Sequence, residues 1–237
     1  MLKEFAQYLV SLKDNKTYEI NGQTYSDRDL TLIKEPTPRP STIDLTGLDG
    51  IVQMIRAEGK KITPPIFIQI VDPKTVTVYS ALDVEMKRSN FCRATCDIPG
   101  YKWGFQPYQN AIIELRSRYI PNKDVEYLLD LLARVNTENG VTTSDNGVTQ
   151  TVEARSGVSL KSVVSVRPRV TLAPFRTFRE VAQPESEFVL RLDDNANVGL
   201  FEADGGMWML KAKENIRDYF NEQMKAEIDA GEVVVTM

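Results

Sequence analysis

Apolar positions recur along the chain at two spacings, and each spacing predicts its own kind of element. Over residues 2–13, Leu2, Phe5, Leu9 and Leu12 fall at helical steps. Residues 46–59 repeat the pattern, with Leu48, Ile51, Val52 and Ile55 as one stripe. Thr46 stands there at the N-cap, Asp49 at capping-box spacing, and Gly59 ends the run. A third helix opens at Pro121-Asn122 and carries Val125, Leu128, Leu129, Leu132 and Val135 on one face. A fourth covers about 209–229, through Met209, Ala212, Ile216, Phe220, Met224 and Ile228.

A period of two governs most of the rest. Thr17-Tyr18-Glu19-Ile20 and Gln23-Thr24-Tyr25 flank Asn21-Gly22, which supplies the positive φ of a type I′ hairpin turn. Residues 66–71 and 75–79 bracket Asp72-Pro73 as a second hairpin, and 91–98 reads as a strand. Over 110–119, Ala111, Ile113, Leu115 and Tyr119 alternate with Glu114, Arg116 and Arg118, which predicts another strand. Further strands are expected over 148–154, 158–172, 187–192 and 198–203. The expected fold is α+β, with strand-rich mixed or antiparallel sheets and about four helices. Residues 35–40 form a stiff proline-rich connector. The polar stretch 136–147 is the expected internal boundary. It separates an α+β part (1–137) from a β-rich part (146–237), unless the two make one compact domain.

Several stretches share an order with a known family. They are the connector and helix from Pro36 to Glu58, Ile66-Phe67-Ile68, and Ile113-Glu114-Leu115-Arg116 followed by Asn122-Lys123-Asp124. Asp145-Asn146-Gly147-Val148 then leads into Val152-Glu153-Ala154 and on to Val189-Leu190-Arg191-Leu192. In this order the chain resembles the YfdQ-like phage and prophage proteins of unknown function. The resemblance implies a non-virion phage accessory protein made in the host cytoplasm. It brings no established activity and no residues to carry over.

Composition removes several chemistries. The 237 residues include 29 basic and 33 acidic ones, two cysteines and no histidine, for a net charge of -4. Without histidine there is no Ser-His-Asp or Cys-His catalysis and no imidazole metal ligand. Cys92 and Cys96 on an extended strand stand about 13 Å apart, beyond disulfide reach. Two reduced thiols in a cytosolic protein are expected. No apolar run reaches the ~20 residues of a membrane span, and Met1-Leu2-Lys3-Glu4-Phe5 lacks the make-up of a signal peptide. Gly205-Gly206 belongs to no phosphate loop, and no cofactor motif is present.

Three groupings could carry chemistry. Asp72 with Glu85-Met86-Lys87 imitates the Asp…Glu-x-Lys spacing of metal-dependent nucleases, but the stronger reading is a turn-forming Asp72-Pro73 with Glu85 and Lys87 in a polar stretch. Glu202 and Asp204, with Asp193-Asp194 before them, are paired carboxylates suited to a metal or to acid-base work, and equally to solvated turns. The third grouping is charge segregation. Between Arg155 and Arg179 lie six basic residues and no acidic one, which leaves the remainder at -10. Lys161, Ser165, Arg167 and Arg169 share one strand face, and Leu160, Val164, Val166 and Val170 share the other. Pro168 inside the run points to an edge strand or a bulge. Arginine forks suit phosphates and carboxylates. Phe175, Phe178, Phe188 and Trp208 lie nearby; such residues fill a core or stack on a base.

The sequence therefore leads to an intracellular, non-catalytic, homo-oligomeric protein. Lys161, Arg167, Arg169, Arg176 and Arg179 are its expected binding residues for a small anionic, nucleotide-like ligand, as in a counter-defence factor. Two other readings stay open: a single-stranded nucleic-acid-binding accessory of phage recombination or replication, and a metal-dependent nuclease. No catalytic residue, metal ligand, cofactor or membrane association is expected.

Overall fold

Contacts divide the chain into two units, Met1–Arg39 and Pro40–Met237, parted in the proline-rich connector. The computed structural model describes residues 2–11, 16–27, 32–33, 39–98, 100–101, 104–136, 141–145, 150–156, 159–195 and 197–237. In the first unit, helix α1 (Leu2–Ser11) precedes strands β1 (Thr17–Ile20), β2 (Gln23–Ser26) and β3 (Leu32–Ile33), which form one antiparallel sheet. Asn21 and Gly22 adopt φ of 51° and 76°, the left-handed pair that the Asn-Gly turn requires. Leu2, Phe5, Tyr8 and Leu9 of α1 are exposed, and Leu12 lies outside the described residues.

The second unit begins with β4 (Ile43–Leu45), α2 (Leu48–Glu58), β5 (Ile66–Asp72), β6 (Thr75–Tyr79), β7 (Asn90–Thr95) and β8 (Gly104–Gln106). Helices α3 (Tyr108–Arg118) and α4 (Lys123–Asn136) follow, then β9 (Val141–Asp145), β10 (Gln150–Ser156), β11 (Ser159–Val166), β12 (Arg169–Leu172), β13 (Ser186–Leu192) and β14 (Val198–Glu202). The chain ends with α5 (Met207–Gln223), α6 (Lys225–Asp229) and β15 (Val233–Thr236). The fold is α+β. Its strands form a five-stranded mixed sheet β15-β5-β6-β7-β4, a four-stranded antiparallel sheet β12-β13-β14-β8, and a three-stranded antiparallel sheet β11-β10-β9. No helix among the described residues is long and apolar enough to cross a membrane.

Two cores hold this unit. Leu48, Ile51, Val52 and Ile55 of α2, with Ile216 and Phe220 of α5, bury against Ile66, Ile68, Ile70, Val76 and Val78 of the five-stranded sheet. Full burial of each such side chain stabilises by about 1.5–3 kcal/mol. In the other core, α3 and α4 cover one face of the four-stranded sheet. There Ala111, Leu115, Val125, Leu128 and Leu132 meet Val166, Val170, Phe188, Leu190 and Leu200. Both cores draw on residues from either side of 136–147, so that stretch does not part the unit.

Several expectations change. Residues 110–118 lie in helix α3 and not in a strand, and Tyr119 follows it in extended conformation. Ala111, Leu115 and Tyr119 are buried at steps of four, Ile113 is exposed, and Glu114 pairs with Arg118 at 3.2 Å across one turn. Helix α2 is capped at Gly47 with no side-chain cap of its own, not by Thr46 and Asp49. Glu180, remote in sequence, accepts from the Leu48 N–H at 2.7 Å. A Cβ on Gly47 would collide with that carboxylate oxygen. A 3₁₀ turn over Gly59–Lys61 extends α2. The expected loop 136–147 contains β9, and the last helix breaks at Met224 into α5 and α6, so the described residues hold six α-helices. Strand β15, parallel to β5, was not foreseen. Pro168 falls between β11 and β12, and β12 is a sheet edge, as the proline implies.

Candidate functional site

The four basic candidates whose side chains are described have separate surroundings. Lys161 sits on β11 where the register with β10 shifts; its side chain is outside the described residues. Arg167 and Arg169 point outward while Val166 and Val170 are buried, as the alternation requires. Each is paired within the chain. Arg167 donates to Asp124 at 3.2 Å and packs 4.2 Å from the Tyr127 ring centroid; Arg169 donates to Glu187 at 2.8 Å. Arg176 is 3% exposed. It donates to Glu202, to Ser186 and to the Pro184 carbonyl, and lies 4.1 Å from the Trp208 ring centroid. Its Nε has no hydrogen-bond partner. Arg179 is exposed and makes no ion pair among the described residues. With Thr46, Gly47, Cys96, Asp97 and Glu180 it lines a cavity of about 440 Å³ at the N-terminus of α2. Burial pushes the Cys96 thiol there up to about 11, so it stays protonated near neutral pH.

Three of the six basic residues of that run are thus neutralised in space, because Asp124, Glu187 and Glu202 come to Arg167, Arg169 and Arg176 from other elements. The edge of β12 is occupied too. Asn122 donates to the Thr171 carbonyl at 3.0 Å, Asp124 accepts from the Thr171 N–H at 2.7 Å, and the Tyr127 hydroxyl accepts from the Arg167 N–H at 3.0 Å. Asn122 also caps α4, accepting from the N–H groups of Asp124 and Val125.

The carboxylate groupings resolve separately. Asp72 and the Glu85–Lys87 ion pair lie at opposite ends of β6, a separation of roughly 15 Å. Asp72 accepts from the Lys74 N–H in the hairpin turn. Asp193 closes the turn to β14 through Asn195 and Asn197, at the far end of β13 from Asp204. Asp204 accepts from Ser186 at 2.5 Å and from the N–H groups of Gly206 and Trp208 at the start of α5. Burial acts to raise its carboxyl pKa, but those hydrogen bonds and Arg176 outweigh it and hold the group below the ordinary value.

What the sequence reading missed lies on the face of the four-stranded sheet opposite α3 and α4. Register aligns two rows across it, Arg169–Val189–Phe201 and Arg191–Gly199–Phe105. Each row carries an arginine at one side and a phenylalanine at the other. Phe105 and Phe201 are 52% and 38% exposed, meeting edge to face with centroids 5.7 Å apart. They lie over Gly199, where a Cβ would stand 2.7 Å from Phe201 Cε2 and 3.1 Å from Phe105 Cε1. The available signal was Gly199 and Phe201 at the outward positions of β14, between the inward Val198 and Leu200. An open sheet face bearing aromatic rings beside guanidinium groups can stack bases and meet phosphates. No family model, curated protein or solved structure matches the chain.

Proposed function

We propose that the chain is a non-catalytic protein that binds short single-stranded nucleic acid on the outer face of its four-stranded sheet. Phe105 and Phe201 offer stacking surface, and Arg191 and Arg169, the latter through the donors left over from its pair with Glu187, meet the phosphates. The observation that carries this is the pair of cross-strand rows with arginine at one side and phenylalanine at the other. The face is open, which suits a strand laid across it better than a small ligand, since such ligands favour concave sites. The YfdQ-like pattern supports a phage accessory role in the host cytoplasm. With a net charge of -4, affinity rests on stacking and a few local contacts, not on a broad positive field. Self-association belongs to the same proposal and is read from the native mass.

A second reading has one observation in its favour. Arg179 alone among the described candidates lines a cavity without an ion-pair partner. Under it, the protein holds a small anionic, nucleotide-like ligand at the start of α2.

Fluorescence anisotropy with a labelled hexathymidylate, with and without magnesium, separates the readings. Two phosphate contacts give a salt slope near -1.4 for a single strand, so binding weakens about sevenfold between 50 and 200 mM salt. Phe105→Ala with Phe201→Ala removes stacking of about 1–3 kcal/mol per base, or 5- to 150-fold in Kd for each base that loses its ring, while Arg179→Ala leaves binding unchanged. Binding of a nucleoside monophosphate that depends on Arg179 and ignores both phenylalanines replaces the first reading by the second. Magnesium-dependent cleavage of the strand overturns both.

A further inference from the structure

Beside this sheet face, between the start of β13 and the first turns of α5, lies a cavity of about 290 Å³. That is the lower end of ligand-pocket sizes and suits one base, not a whole oligonucleotide. Glu185, Glu187, Asp204, Trp208, Lys211 and Glu214 are among its lining residues. Three of the four carboxylates are committed. Asp204 is held by Ser186 and the α5 N–H groups, Glu187 by Arg169, and Glu214 by Lys211 at 3.4 Å. Glu185 makes no hydrogen bond or ion pair among the described residues. The cavity therefore offers one acceptor-only group beside an indole. Arg176, which packs on that indole, is not part of the lining.

We infer that this cavity is a guanine subsite, with the base against Trp208 and its Watson–Crick edge on Glu185. The inference rests on the reading of the sheet face as a single-strand platform. A carboxylate only accepts hydrogen bonds, and of the common bases only guanine presents two adjacent donors, N1–H and N2–H, that match its two oxygens. Adenine and cytosine set one amino donor beside a ring acceptor, and thymine or uracil sets one N–H between two carbonyls; those acceptors repel a carboxylate. Glu187 belongs both to the cavity and to the sheet row Thr171–Glu187. A base in the cavity can thus be a near neighbour, along one strand, of a base on the phenylalanines.

The test uses the full chain and labelled hexathymidylates in which one central thymine is replaced by guanine, adenine, cytosine or hypoxanthine. Guanine tightens binding at least tenfold over adenine or cytosine, and hypoxanthine, lacking the N2 amino group, loses most of that gain. Glu185→Gln, an exposed position that melts with the parent, cuts the preference below threefold and leaves hexathymidylate affinity unchanged. Equal binding of all hexamers, or a guanine preference that survives Glu185→Gln, overturns the guanine assignment alone. If no hexamer binds, the sheet-face reading falls and the subsite falls with it.

Discussion

Replacing Arg176 by alanine removes a guanidinium that the fold has almost wholly withdrawn from water, at 3% exposure. Burial pulls its pKa down, while Glu202 and Asp204 pull it up, so the charge persists because carboxylates face it. Breaking a buried pair from one side costs about 3–5 kcal/mol. The lower end applies here, since Glu202 is about one-third exposed and can turn to water. Loss of the contact with Trp208 is included in that figure, leaving about 3 kcal/mol. At 2–4 °C per kcal/mol for a unit of this size, Tm falls by about 6–12 °C. Arg176→Lys keeps the charge but loses the planar fork, and falls in between. Arg169→Ala is the control: its pair with Glu187 is exposed on both sides, and such pairs contribute about 1 kcal/mol or less. Thermal melts by circular dichroism, repeated in urea, read all three. If Arg176→Ala melts within 2 °C of the parent, or Arg169→Ala costs as much, the cluster is not the anchor its burial implies.

Other variants probe separate parts of the fold. Asp204 has a folded pKa below its ordinary value of about 3.9, so its contribution is complete above that value and is lost as pH falls through the folded pKa. Asp204→Asn should therefore flatten the acid limb of a Tm-against-pH curve below about pH 4, and an unchanged limb refutes the assignment. Asn122→Ala removes the α4 cap and the bond to Thr171; a loss of about 1–2 kcal/mol in urea unfolding is expected. Val166→Asp places a carboxylate at a position 1% exposed and costs several kcal/mol, whereas Arg167→Glu costs about 1 kcal/mol; equal melts refute the inward placement of Val166 and the outward placement of Arg167.

Elements whose period repeats over several turns or beside a decisive dipeptide were legible in the sequence: α2, α4, the Asn-Gly hairpin, and the β5–β6 pair. Helix α3 was not, because Ala111, Leu115 and Tyr119 satisfy a period of two and a step of four alike. Only the sheet beneath α3 decides between them. The cap on α2 was hidden for another reason: Glu180 reaches it from 132 positions away. The same distance obscured the site. Alternation located the outward Arg167 and Arg169, but their partners lie on α4 and β13. Phe105 and Phe201 become neighbours only when β8 joins the far side of β14. A charge run in one dimension says which residues need counter-charges, not whether the fold supplies them.

The side chains that close the outer edge of β12 also limit how copies of this chain can meet. An open edge is a template on which a second strand can add without end. Here Asn122, Asp124 and Tyr127 already occupy the Thr171 and Arg167 backbone groups. Any assembly grown from this side must first displace three side chains of its own helix. Strand addition at β12 is thereby disfavoured, and of the contacts left to a second copy an isologous one between faces closes on itself instead of propagating into a fibre.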